Sequence, residues 1–264
     1  MKNSIISHMT CPWQDKVQWF PTIDSTSTYA KTIAKEGAPA GTLVIAGAQS
    51  AGRGRLGRSF SSPDGMGVYL SCILRPDCTP DKLMHLTCAV GAAMCQAVER
   101  PSGLIPALKW TNDLVAGKRK LGGILTELSV SAKTGIVEYA VVGIGINCLQ
   151  KTEDFPPELQ EMATSLSMEV GKPVSPALLA AAMGDALYDM DQILLTGKKE
   201  LMDAYRAHCM TLGKTIRVVR GAEDKIGTAL ELDEDGGLLV EYADGFQETV
   251  TSGEVSVRGM YGYL

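Results

Sequence analysis

Residues 47–58 read Gly-Ala-Gln-Ser-Ala-Gly-Arg-Gly-Arg-Leu-Gly-Arg, so Gly52, Gly54 and Gly57 alternate with Arg53, Arg55 and Arg58. Glycine lets a backbone turn sharply and come close to a ligand. Arginine carries a permanent charge on a planar fork that matches carboxylate and phosphate. The whole chain is acidic, with a formal charge of -5. A bendable basic loop in such a chain points to an anionic ligand, and a solvated surface loop is the plainer alternative. The letters also satisfy G-x-G-x-x-G, which marks a dinucleotide site only where a helix opens on it. Here a turn cluster, Ser61-Ser62-Pro63-Asp64-Gly65, leads into a strand-like run over 68–74. No helix N-terminus is offered to a phosphate, so the doubly wound dinucleotide fold is excluded. The phosphate-loop pattern G-x-x-x-x-G-K-[ST] is absent as well.

The segments around the loop set the fold class. Residues 42–46 are β-rich, and 104–148 read as strands joined by short turns. Consecutive hairpins imply largely antiparallel pairing. Ser25, Thr26, Ser27 and Thr28 are placed to cap a helix that Gly37 stops. Thr79-Pro80-Asp81 opens a second helix, whose buried face carries Leu83, Leu86, Val90, Ala93, Met94 and Ala97. His85 falls off that stripe and reads as a surface or internally satisfied histidine. Ser175-Pro176 opens a third helix with Leu178, Leu179, Ala182, Met183, Ala186, Leu187 and Met190 on its apolar side, and helix character resumes over 199–209. From 213 onward short strands over 215–219, 227–232, 238–242 and 248–257 alternate with Gly/Asp turns, the pattern of a small barrel. A β-extension of the main sheet is the alternative. The expected class is α+β.

At 264 residues the chain has room for one large and one small domain. With 30 acidic against 25 basic residues, general nucleic-acid affinity is not expected. Seven cysteines without a C-x-x-C pair read as reduced, cytoplasmic thiols. Three histidines, at 8, 85 and 208, give no H-E-x-x-H and no metal cluster. No signal peptide and no membrane-spanning run is expected.

Two further stretches answer the basic loop. Lys109-Trp110-Thr111-Asn112-Asp113 and Arg119-Lys120-Leu121-Gly122-Gly123-Ile124-Leu125 flank a polar turn as a hairpin, and Gly143-Ile144-Gly145-Ile146-Asn147 is a glycine-bearing apolar strand. With Asp24-Ser25-Thr26, the run from Gln49 to Gly57 and Ser252-Gly253-Glu254-Val255-Ser256-Val257-Arg258, this ordered set resembles the biotin protein ligases. Thr111 stands where that family often has proline.

The resemblance implies a catalytic domain over 1–211, like the class II aminoacyl-tRNA synthetases, with a mixed, largely antiparallel sheet and flanking helices. An SH3-like β-barrel over 212–264 would follow. It implies the monofunctional type, since the motifs start at Asp24 and leave no room for an N-terminal DNA-reading domain. It implies biotin and ATP as substrates, with Mg²⁺ accompanying ATP. Biotin would be activated as biotinyl-5′-AMP and passed to a lysine of a carrier, the biotin carboxyl carrier protein of acetyl-CoA carboxylase or of a related biotin-dependent carboxylase. Mapped by motif, Ser25, Thr26, Ser27, Gln49, Gly52, Arg53, Gly54, Arg55, Lys120 and Gly123 would hold biotin. Arg55, Phe60, Lys120 and Asn147 would hold ATP, and Arg53, Arg55 and Lys120 would be catalytic. The loop arginines would find their partners when the anion arrives. Asp113 would place the metal or the incoming amine, or serve only its turn. Tryptophans that some members use at the adenine correspond to Phe60 and roughly Ala163. A partner nucleic acid or membrane is not implied, and a homodimer is left open. The rival readings are a lipoate ligase or octanoyltransferase, and a non-catalytic module that docks an acidic partner.

Overall fold

The computed structural model describes residues 1–221 and 223–251, together with the backbone of 256–259. Helix α1 (Lys2–Ile6) and a 3-10 turn (Pro12–Lys16) lead into strand β1 (Val17–Ile23). Helix α2 (Thr26–Lys35) then crosses to β2 (Thr42–Gln49), which pairs parallel with β1. Next come β3 (Gly67–Leu74), α3 (Leu86–Ser102), β4 (Ala107–Lys109), β5 (Asp113–Ala116), β6 (Arg119–Val130) and β7 (Val137–Asn147). These strands form one sheet in the order β1-β2-β3-β7-β6-β5-β4, antiparallel everywhere except at β1/β2. Helices α4 (Leu166–Val170), α5 (Pro176–Ile193) and α6 (Lys198–His208) follow. A separate antiparallel sheet closes the chain: β8 (Thr215–Arg220), β9 (Glu223–Leu232), β10 (Leu238–Tyr242), β11 (Gln247–Val250) and β12 (Ser256–Gly259), in the order β11-β10-β9-β8-β12. The α+β class holds.

Alternation along the strands splits the core into two layers. Val44, Ile73, Tyr139 and Val141 meet Ala30 and Ala34 of α2 on one face. Leu43, Ile45, Leu70, Cys72, Leu74, Val142 and Ile144 meet α3 and α5 on the other. Covered on both sides, β3 is buried from end to end, which is why it reads as an unbroken apolar run with one serine.

Several expectations change in detail. Thr79 opens only a 3-10 turn (Pro80–Leu83), and α3 starts later, at Leu86. Of the two readings of His85 the structure takes the internal one: it is 1% exposed, and its ring Nε2 lies 3.0 Å from the Leu194 carbonyl. Leu178 turns outward from α5 at 39% exposure, while the rest of its expected stripe is buried. The single strand expected over 248–257 is two strands, β11 and β12. Residues 252–255 of the C-terminal motif lie outside the described residues.

Candidate active site

The site forms where α2 stops covering the sheet. On β7, Tyr139 and Val141 lie under α2. Two and four residues further on, the same face carries Gly143 and Gly145, and bare backbone replaces side chains. A cavity of about 530 Å³ opens there, within the usual size for a small-ligand site. Its floor includes Gly123 and Leu125 of β6 and Gly143, Gly145 and Asn147 of β7. The glycines are needed for space. A Cβ on Gly143 would lie 2.4 Å from Ser27 Oγ, and one on Gly145 would lie 2.5 Å from the Phe60 ring.

At the α2 end the wall is a hydroxyl and amide network. Ser25 caps the helix, its Oγ accepting from Thr28 N at 3.4 Å. Gln49 Oε1 accepts from Thr26 N at 2.8 Å and Thr26 Oγ1 at 3.1 Å, and Gln49 Nε2 donates to Ser62 Oγ at 2.9 Å. Ser71 Oγ donates to Thr26 Oγ1 at 2.8 Å and lies 3.0 Å from Ser27 Oγ. Buried hydroxyls must be satisfied, and here they satisfy one another beside an open cavity.

The opposite end is cationic. Lys120 Nζ donates to Asp113 Oδ1 at 2.6 Å. Arg55 Nη1 donates to Asn112 Oδ1 at 2.8 Å, and Asn112 Nδ2 donates to Asp113 Oδ1 at 3.2 Å. Burial lowers the Arg55 pKa from its usual range, with the Asp113 charge opposing. Arginine keeps its proton under such shifts, so the site holds a partly desolvated permanent charge. Arg53 donates through both terminal nitrogens to Glu127. Arg53 and Arg55 thus have protein partners already, contrary to the expectation that only an anion would supply them.

Thr26, Ser27, Gln49, Arg53, Gly54, Arg55, Phe60, Lys120, Gly123 and Asn147 all border the one cavity, drawn from four separate stretches of chain. Ser25 and Gly52 do not border it. Ser25 is the helix cap, and Gly52 lets the loop cross Phe60, whose carbonyl would lie 2.4 Å from an added Cβ. Asn147 reaches the cavity but spends its amide on structure, Nδ2 donating to Thr164 O at 2.9 Å and Oδ1 accepting from Gln150 at 3.2 Å. That fixes the segment carrying Ala163, which also pairs with Lys120 through Lys120 N to Met162 O at 2.7 Å and Thr164 N to Lys120 O at 2.9 Å. Phe155, Leu159 and Met162 from this segment give the cavity an apolar wall. Neither they nor Ser71 were picked out from sequence, and Asn112 stood within the Lys109–Asp113 motif without a role of its own. Ser71 had a signal, as a polar residue inside a fully apolar strand. Phe155, Leu159 and Met162 had none, because their segment lies in irregular chain.

Residues 19–147 match the model of the biotin/lipoate A/B protein ligase family, and residues 211–258 match the biotin protein ligase C-terminal domain. The bifunctional ligase/repressor BirA of Bacillus subtilis is 34% identical over 237 residues, covering 86% of this chain and 69% of that protein. The chain belongs to the biotin protein ligase family. A second member, the biotin--[acetyl-CoA-carboxylase] ligase of Mycobacterium tuberculosis, is 30% identical over 238 residues, covering 87% of this chain and 85% of its own. Among solved structures, the Aquifex aeolicus biotin protein ligase in complex with biotin and ATP superposes with a TM-score of 0.76 at 28% identity, over 92% of this chain and 98% of the other. The Leishmania major biotin protein ligase in complex with biotinyl-5-AMP gives 0.61 at 25% identity, over 92% and 100%. As a member of this family the chain is an enzyme, a biotin ligase. The match over 211–258 sets it apart from the lipoate ligase reading.

Proposed function

We propose that the chain activates biotin with ATP and passes it to a lysine of a biotin carboxyl carrier protein. One observation carries the reading: a single cavity joins a hydroxyl and amide wall at one end to Arg55 and Lys120 at the other. The first end suits the ureido ring of biotin, which offers both donors and an acceptor. The second suits two anions that must approach each other.

In the first step a biotin carboxylate oxygen attacks the α-phosphorus of ATP and pyrophosphate leaves. No general base is required, since the carboxylate is already ionised at neutral pH. What is required is charge stabilisation during transfer, and Arg55 and Lys120 supply it. Lys120 is held in place by Asp113 before substrate arrives. In the second step the carrier's lysine amine attacks the acyl carbon, the mixed anhydride bond breaks and AMP leaves. Phe60, over Gly145, and the wall from Phe155 to Ala163 take the adenine end, in place of the tryptophans of other members.

Mg²⁺ accompanies ATP in this reading. Among the described residues no group of three or more His, Cys, Asp or Glu side chains is clustered for a metal. That fits an ion held chiefly by phosphates and water, with one carboxylate added. Asp113, the acidic side chain on the cavity wall, would be that ligand, and the ion would neutralise phosphate charge. We assign catalysis to 1–211 and an accessory role to 212–264. Among the described residues no helix is long and apolar enough to cross a membrane, and the reading places the enzyme with its carrier in the cytoplasm.

The test is transfer itself. Incubation with biotin, ATP and a purified biotin carboxyl carrier domain is expected to add one biotin to a single carrier lysine, read by mass spectrometry. No addition, or equal addition to a carrier whose acceptor lysine is arginine, defeats the proposal.

A further inference from the structure

Arg53 borders the cavity, yet its guanidinium ends on Glu127, which does not. Nη1 lies 2.9 Å from Oε2 and Nη2 lies 3.1 Å from Oε1, the parallel two-bond geometry that gives arginine–carboxylate pairs their strength and direction. Lys31 of α2 donates to the same Glu127 Oε1 at 2.8 Å. One carboxylate therefore ties three elements together: the basic loop, α2 and β6. Burial disfavours its charge, and Lys31 and Arg53 more than offset that, so its pKa falls below the usual carboxylate range.

The loop between its two strands behaves as one closed ribbon. Gly54 N donates to Arg58 O at 2.7 Å, and Arg53 bridges to Ser59. Arg53 on Glu127 and Arg55 on Asn112 are two of the contacts that hold that ribbon to the rest of the molecule. They differ in kind. Arg55 is assigned above to the reacting charges, so its bond must yield to substrate. The Arg53–Glu127 pair is only partly covered, with side chains 39% and 25% exposed, and neither step of the reaction proposed above draws on it. A partly exposed pair biases a closed state without locking it, which a loop that must admit substrate requires.

We propose that Glu127 is a positioning residue: shared by Arg53 and Lys31, it holds the basic loop down over the cavity and sets how long the reactive intermediate stays bound. Arg53 then acts as the loop's fastener. The part that concerns the intermediate rests on the ligase reading above, whereas the part that concerns the loop stands without it.

Glu127→Gln tests this, because it keeps the shape and removes the charge. Two rates are read in protein whose melting curve shows it folded. One is tryptic cutting after Arg53 and Arg55 without ligand, and the other is release of preformed biotinyl-5′-AMP. Both are expected to rise about fivefold, the scale of one partly exposed ion pair placed on the opening rate. The effect is expected on release and on KM for biotin, with little on single-turnover adenylation. Lys31→Met, which leaves Glu127 in place, is expected to give a smaller rise in both, and it serves if Glu127→Gln does not fold. In an Arg53→Met background Glu127→Gln is expected to add nothing. Wild-type rates of cutting and release in Glu127→Gln would overturn the proposal, as would an undiminished effect without Arg53. If the wild-type enzyme makes no biotinyl-5′-AMP, the ligase reading fails, and the tryptic rates still decide the role of Glu127.

Discussion

In the proposed reaction Lys120 is prepared for its work before substrate arrives. It sits on β6 just before Gly122 and Gly123, where the strand has no side chains to block a ligand, and Asp113 holds its amine at 2.6 Å. Lys120→Ala is expected to slow biotinyl-5′-AMP formation by about 100- to 1,000-fold, roughly 2.7 to 4 kcal/mol for one donor aimed at developing charge. Its folding is expected to change little, because the pair is partly exposed and worth little to stability. Single-turnover adenylation beside a thermal melt checks this, and a variant that adenylates at the wild-type rate removes Lys120 from the chemistry. Residue type and local spacing drew attention to Arg55 and Lys120, whereas the hydroxyls near Ser25 read alone as a helix cap and gained a place in the site from the family resemblance. The sequence did not show that Arg53 reaches Glu127, a partner 74 positions away, since nothing local encodes such a pair. Nor did it show Asn112 taking Arg55, for the same reason.

At the level of elements, β7 sets the shape of the site, and the proposed reaction divides its labour along that strand. Gly143 faces Ser27 and Gly145 faces Phe60, so an added methyl tests each end separately. Gly143→Ala is expected to weaken biotin binding at least tenfold with a smaller effect on ATP, and Gly145→Ala to raise KM for ATP more than for biotin. Binding titrations and initial rates check the split, and identical profiles for the two variants contradict it. A second fastening ties the N-terminal segment to α5: Asp185 accepts from Thr10 N at 2.9 Å, Thr10 Oγ1 at 2.9 Å and Cys11 N at 2.9 Å. Burial opposes its charge, these donors outweigh burial, and its pKa is lowered. A carboxylate with a depressed native pKa adds stability above its unfolded value, near 3.9, and loses it as pH falls through the native value. Asp185→Asn is therefore expected to cost about 1.5 to 3 kcal/mol at pH 7, with the gap from wild type closing in acid below about pH 4. Denaturant titrations across pH check it, and a gap that is constant with pH rules it out. Strong periodicity made α3, α5 and the hairpins legible. Strand β1 was not legible, because Pro21 breaks its pattern and its partner β2 is parallel and reached through a helix.

Across the whole molecule, the small sheet is docked against the segment that feeds the site. The turn at 233–237 sits between α3, α6 and Trp110. Trp110 Nε1 donates to Gly236 O at 2.8 Å, Arg206 donates to the carbonyls of Leu232 at 3.1 Å and Asp233 at 3.0 Å, and Lys198 pairs with Asp235. Trp110 is two residues before Asn112, which holds Arg55, so the second sheet braces the cationic end of the cavity from behind. Gly236 has a φ of 83°, and a Cβ there would lie 2.8 Å from Cys88 Sγ. Gly236→Ala is expected to cost about 1 to 3 kcal/mol of stability and to slow adenylation several-fold. A melt and a single-turnover rate check both, and a destabilised variant with wild-type adenylation denies the brace. The central claim is that this cavity joins biotin to the α-phosphate of ATP, and biotin-dependent exchange of labelled pyrophosphate into ATP measures that step alone. The account predicts exchange that requires biotin and does not occur with lipoate. Exchange that lipoate supports and biotin does not, or no exchange with either, would contradict it.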